Sequence, residues 1–115
     1  MELVALLGKN EGTMGQVSGV INHGEWDNIF LLGDSSSKNF TNKKDFEFIE
    51  ISDGSIIDLK EEISKKLKGK FKGTEVALSI AGGDGKTHMA LISALLSDPV
   101  GIRFTVLTKD GLVFM

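Results

Sequence analysis

Cysteine is absent from the 115 residues, histidine occurs twice and proline once. Without cysteine there is no disulfide framework, no thiolate zinc site and no cysteine nucleophile. With so few imidazoles as well, neither a metal site nor a resident cofactor is expected. Long hydrophobic runs are missing too. The opening stretch MELVALLGKNEG carries an acidic residue at position 2 and an apolar run too short for a signal-peptide core or a membrane span. A cytoplasmic protein with no membrane partner is therefore expected. Nor is there an excess of charge of one sign: 13 basic and 16 acidic residues leave a formal charge of −3 at pH 7. Duplex-DNA binding needs a basic face to neutralise phosphates, so it is not expected, and an anionic ligand must be held by a local site. The length suits one domain over residues 1–115, and 41% hydrophobic with 25% charged residues excludes wholesale disorder. Glycine is what the chain has in plenty, with 14 residues.

Short apolar runs alternate with amphipathic segments, the mark of an α/β layer fold. Residues 3–7 (LVALL) read as a strand buried on both faces and stopped by Gly8. Thr13 is expected to cap a helix with Met14, Val17, Val20 and Ile21 on one side and Gly24 as its stop. Gly15 and Gly19 share a face there and let that helix approach a strand. Residues 28–32 (NIFLL) form a second strand, and the polar stretch 35–44 holds at most one helical turn. Residues 46–51 (FEFIEI) alternate as an edge strand with one wet face does. Ser55 opens the clearest helix, whose stripe is Ile56, Leu59, Ile63 and Leu67 and whose end is Gly69. Residues 76–80 (VALSI) make a fourth strand; the helix after it turns Met89, Ile92, Leu95 and Leu96 inward and stops at Pro99. Residues 102–107 and 112–115 close the chain as an antiparallel pair around Lys109-Asp110-Gly111. The order predicts a three-layer, Rossmann-like α/β fold with about six strands, mostly parallel, and helices on both faces.

The candidate site lies on two strand-to-helix turns, Gly8-Lys9-Asn10-Glu11-Gly12-Thr13 and Gly82-Gly83-Asp84-Gly85-Lys86-Thr87. In open α/β sheets ligands bind beyond the carboxyl ends of the strands, where both turns fall. Each offers backbone N–H groups and a helix amino terminus equivalent to roughly half a positive charge. Glycines there permit close backbone approach to a phosphate. Lys9 and Lys86 add full charges, while Asn10, Thr13, Ser35 and Thr87 supply neutral hydrogen bonds. An anion or nucleotide site is the leading reading; the plainer one is that the glycines only make tight connections. A Walker A loop needs glycine where Ile80 stands, which leaves a deviant P-loop binding ATP or GTP as a third reading. Gly8, Gly12 and Gly15 have the wrong spacing for the dinucleotide fingerprint. His88 is a candidate for a base or ribose contact, or else an idle first-turn residue; His23 has no assigned role. Glu11, Asp34, Asp53 and Asp84 fall at strand ends, where carboxylates cap helices or contact a ribose or Mg²⁺. The lysines between positions 60 and 72 read as a phosphate patch or, more simply, as a solvated helix end. Trp26 reads as packing.

The stretch VALSIAGGDGKTHMALISALL, residues 76–96, resembles the CRISPR-associated Rossmann-fold (CARF) domain, the sensor module of type III CRISPR ancillary proteins. In that family a strand enters a Gly-Gly-(Thr/Ser)-Lys turn and then a helix opening with Met or a small residue. Here Asp84-Gly85 replaces the single Thr or Ser, so Lys86 comes one residue late. The resemblance covers nearly the whole chain in element order, while its motif content is this one stretch. It implies antiviral signalling through cyclic oligoadenylates, cyclic tetra-adenylate first, bound by a homodimer that presents each loop twice around the ring. Family members continue into an effector domain; a chain without one is expected to be a stand-alone ring nuclease or a sensor acting through a partner. The family's ring cleavage is metal-independent, the ribose 2′-hydroxyl attacking the adjacent phosphate, which calls for in-line positioning and charge stabilisation. Lys86 and the N–H groups of residues 83–87 are the candidates for stabilisation, Asn10 and Thr13 for orienting the ribose, and His88 for proton transfer.

Overall fold

The most apolar runs of the chain become the middle of a sheet, because only a strand covered on both faces can bury every side chain. The computed structural model describes residues 1–98 and 100–115; Pro99, expected to stop the last helix, lies outside them. The elements are β1 (Glu2–Leu6), α1 (Glu11–His23), β2 (Ile29–Gly33), one 3₁₀ turn (Ser35–Ser37), β3 (Glu47–Glu50), α2 (Ile56–Leu67), β4 (Glu75–Ser79), α3 (Gly85–Ser97), β5 (Gly101–Thr108) and β6 (Gly111–Phe114). The sheet runs β3-β2-β1-β4-β5-β6, with β6 alone antiparallel to its neighbour. This is the Rossmann-like, three-layer architecture the sequence predicts, and the alternating run around Phe48 is indeed an edge strand.

The pleat sends alternate residues to opposite faces and so divides the core in two. Val4, Leu6, Leu32 and Leu78 meet α2 and α3 on one face, through Leu59, Ile63, Leu67, Leu91 and Leu95. Leu3, Ala5, Leu31 and Ala77 meet Val17, Val20 and Ile21 of α1 on the other. One helix covers less sheet than two. The remainder of that face is closed by Phe40 and Phe46 from the β2–β3 connection and by Trp26, whose indole N–H donates to the Val20 carbonyl at 3.1 Å.

Three local features differ from expectation. Asn10, not Thr13, caps α1: its side-chain oxygen accepts the N–H groups of Gly12 and Thr13 at 2.8 and 3.2 Å. Thr13 sits one turn too late and gives its hydroxyl to the Asn10 carbonyl at 3.0 Å. The buried stripe of α3 is Ala90, Leu91, Ala94 and Leu95, leaving Met89 and Leu96 60% and 65% exposed. The helix packs beside α2, and that face takes Leu91 and Leu95 with the two alanines. Of the paired glycines in α1, only Gly19 faces a neighbour, the Leu107 side chain of β5; Gly15 faces open space. Beside Gly19, the Gln16 amide bonds both the carbonyl and the N–H of Leu107, satisfying β5 where β4 has ended.

At the other end of the sheet Glu2 is a buried carboxylate, 3% exposed. It accepts from the backbone N–H groups of Lys72 and Gly73 at 2.8 and 3.1 Å and from the Asn28 amide at 3.0 Å. A buried charge is tolerated only when so paired, and this one ties the α2–β4 connection to β1 and β2.

The glycines divide by what surrounds them, and stability measurements should follow that division. A Cβ at Gly82 would stand 2.7 Å from the Leu6 carbonyl oxygen and 3.1 Å from the Gly8 nitrogen, both backbone atoms that cannot swing aside. Gly82→Ala is expected to lose about 1–3 kcal/mol in urea denaturation, the range for overpacking. Gly15→Ala, in open space inside a helix, is expected to gain up to about 1 kcal/mol in the same measurement.

Candidate functional site

β1 and β4 lie side by side, in register at Ala5 and Ser79, and their connections leave for opposite faces of the sheet. β1 feeds α1 on one face and β4 feeds α3 on the other. Between diverging connections a crevice opens beyond the carboxyl ends of the strands, which is where open α/β sheets bind ligands. A cavity of about 450 Å³ occupies this place.

Backbone of both turns contributes to its lining, beside Leu6, Leu7, Ile51 and Leu59. A Cβ on Gly8 would come within 2.9 Å of the Gly83 nitrogen, so the two turns touch main chain to main chain. Gly83 takes φ +86°, a conformation that favours glycine. The Gly82 carbonyl lies 2.7 Å from His88 Nε2, so the imidazole is spent on holding its own turn. His88, Gly82, Gly85, Gly12 and Ser35 do not line the cavity. Gly8, Lys9, Asn10 and Thr13 line it from the first turn, Gly83, Asp84, Lys86 and Thr87 from the second, and Asp34 from the end of β2. Ser37, one helical turn after Asp34, lines the cavity where Ser35 was expected.

Each turn caps itself. Asn10 takes the first free N–H groups of α1. Asp84 caps α3, accepting the Thr87 backbone N–H at 2.9 Å and its hydroxyl at 2.7 Å. These bonds from Thr87, aided by the Lys86 and His88 charges, hold the Asp84 carboxyl below the ordinary aspartate range. Asp34 caps the 3₁₀ turn, and the Ser36 hydroxyl, then its N–H and Lys9, likewise hold its carboxyl low. The positive ends of the helices are therefore partly satisfied by the protein's own oxygens, two of them anionic.

The cations are also engaged. Lys86 Nζ donates to Asp53 Oδ1 at 2.6 Å and to the Gly54 carbonyl at 2.9 Å, joining α3 to the β3–α2 connection. The hydrogen bond to Asp53, with the charges of Asp53 and Asp84, raises the Lys86 pKa above the usual lysine value. Lys9 Nζ lies 3.8 Å from Asp34 Oδ2, too far for a hydrogen bond. Asp53 is the partner that fixes Lys86, and sequence reasoning gave it no particular part. Its only signal there was its place after an apolar strand, shared with other carboxylates. Glu11, the other strand-end carboxylate, lies outside the cavity lining. The α2 lysines belong elsewhere: Lys66 pairs with Glu62 and bonds the Glu50 carbonyl, and beyond the helix Lys70 pairs with Glu47. Among the described residues no helix is long and apolar enough to cross a membrane.

No family model matches the chain, and no curated protein matches it closely. The chemistry open to the site therefore rests on its geometry: a crevice between two glycine turns, lined in part by apolar residues, with two lysines and three aspartates on its walls.

The Asp84 cap has a pH signature. Its folded-state pKa lies below the ordinary value of 3.8, so its contribution is complete above that value and is lost as pH falls through the lowered one. Asp84→Ala is expected to cost about 1 kcal/mol at neutral pH. Urea denaturation at pH 7 and pH 3 should show the gap between variant and wild type narrowing in acid; an equal gap at both would exclude an ionic cap.

Proposed function

We propose that this chain is a cyclic oligoadenylate-binding module of the CARF kind, acting as a homodimer with cyclic tetra-adenylate as its first candidate ligand. The observation that carries the reading is the contact of the two glycine turns at the β1/β4 switch point, with Lys9 and Lys86 on the rim of one crevice. A two-fold dimer presents each turn twice, matching a ring of phosphates that repeats its own groups. Support for the dimer comes from apolar residues left bare near the crevice. Ile57 in the first turn of α2 and Met89 in the second turn of α3 are both exposed, on neighbouring helices whose amino ends lie on the crevice side.

Ring opening is the reaction such a site supports. The 2′-hydroxyl oxygen attacks the adjacent phosphorus and the bond from phosphorus to the 5′-oxygen breaks. A 2′,3′-cyclic phosphate forms, and the proton lost by the hydroxyl is balanced by one gained at the 5′-oxygen. Lys86 and the Gly83 N–H serve the phosphate oxygens, which requires Lys86 to exchange Asp53 for phosphate. An exposed ion pair is weak enough for that exchange. One observation favours a second reading, binding without cleavage: His88, the candidate for proton transfer, is bonded to the Gly82 carbonyl outside the cavity lining.

The test is incubation with cyclic tri-, tetra- and hexa-adenylate in EDTA, with calorimetry for binding and chromatography for products. Cyclic tetra-adenylate is expected to bind, and Lys86→Ala to weaken it about tenfold or more, the loss of a charge-assisted hydrogen bond. Linear or 2′,3′-cyclic-phosphate products establish a ring nuclease, and an intact ring establishes a sensor. Failure of all three rings to bind overturns the proposal.

A further inference from the structure

Of the side chains expected to orient a ribose, Asn10 has its acceptor oxygen engaged and Thr13 its hydroxyl proton. Asn10 Oδ1 caps α1, and the Thr13 hydroxyl is given to the Asn10 carbonyl. Asp34 is occupied on one side only. Its Oδ1 accepts the Ser36 N–H at 2.9 Å and the Ser36 hydroxyl. Among the described residues its Oδ2 accepts no hydrogen bond, and it lies on the cavity wall with Lys9 Nζ at 3.8 Å.

The position of this free oxygen follows from the topology. Asp34 is the residue after Gly33, the last of β2, and β2 pairs with β1. It therefore stands one interstrand spacing, about 4.8 Å, from the strand whose glycine turn faces the phosphates. At the end of β2 it borders the same crevice as the first turn, beside Lys9. The chemistry agrees. An ionised carboxylate only accepts hydrogen bonds, so it rewards a hydroxyl, gains nothing from a 2′-hydrogen and repels a phosphate. Hydrogen bonds from Ser36 hold Asp34 in that ionised form.

We infer that Asp34 Oδ2 accepts a hydrogen bond from a ribose 2′-hydroxyl of the bound ligand, which makes Asp34 the residue that selects ribonucleotide over deoxyribonucleotide rings. The inference rests on the ring-binding reading above, and the experiment separates the two. Cyclic tetra-adenylate and its all-2′-deoxy counterpart are titrated into wild type and Asp34→Ser by calorimetry. Serine keeps a capping oxygen for the 3₁₀ turn and supplies nothing in place of Oδ2. Wild type is expected to bind the ribose ring about tenfold or more tightly than the deoxy ring, and the variant to bind both within about threefold. Equal affinities in wild type, a comparison that needs no variant, overturn the role of Asp34 and leave ring binding standing. Discrimination that survives in Asp34→Ser overturns it too, because the preference then arises elsewhere, in sugar pucker or another contact. Binding of neither ring overturns the ring reading and this inference with it.

Discussion

The closest constraint in this molecule is the contact between the turns that follow β1 and β4. Gly8, Gly82 and Gly83 meet with backbone against backbone, and a single added carbon at Gly8 or Gly82 would fall within about van der Waals exclusion of a main-chain atom. That contact lets two adjacent strands end at the same level and send their chains to opposite faces. It places the amino ends of α1 and α3 on one crevice. His88 reinforces the arrangement from within α3 by bonding the Gly82 carbonyl. The glycines are thus structural in the plainest sense, and the crevice exists because they are.

Electrostatically the crevice is balanced, not open. Two lysines, Lys9 and Lys86, face three aspartates, Asp34, Asp53 and Asp84, for a formal sum of −1 on its walls. Both helix amino ends are capped by their own turns. A ligand is thus not drawn in by field alone. Any ligand entering the crevice would exchange with partners already present, Asp53 at Lys86 above all. The weak cohesion of exposed ion pairs makes the exchange affordable in free energy.

The strands and their order were legible in the sequence because their signals are local. An unbroken apolar run bounded by glycine has one good place, the middle of a parallel sheet, and a run such as FEFIEI has another, at its edge. The α2 stripe was plain at Leu59, Ile63 and Leu67, which repeat at helical spacing, while Ile56, expected to share it, stays exposed at the helix start. Less legible was α3, where leucine, isoleucine, methionine and alanine surround the helix. With apolar residues on all sides, only contact with α2 and the sheet decides that Ala90, Leu91, Ala94 and Leu95 are the buried ones. Glu2 gave no signal at all: its partners, Asn28, Lys72 and Gly73, lie far along the chain. The same holds for the candidate site. Lys9, Asn10, Asp84 and Lys86 stood out through glycine-rich context, whereas Asp53 acquires its part only by meeting Lys86 across 33 residues.

The sequence by itself determined the α/β class, the strand and helix succession and the two turns on which a site could form. Those follow from hydrophobic periodicity and from residues whose backbone preferences act over a few positions. Only the tertiary structure decided what each polar side chain in those turns is free to do. Asn10 Oδ1, the Thr13 hydroxyl and His88 Nε2 are engaged within the fold, Lys86 is held by an aspartate from another connection, and Asp34 Oδ2 accepts no hydrogen bond among the described residues. Such assignments depend on distances between segments remote in sequence, and no local pattern carries them.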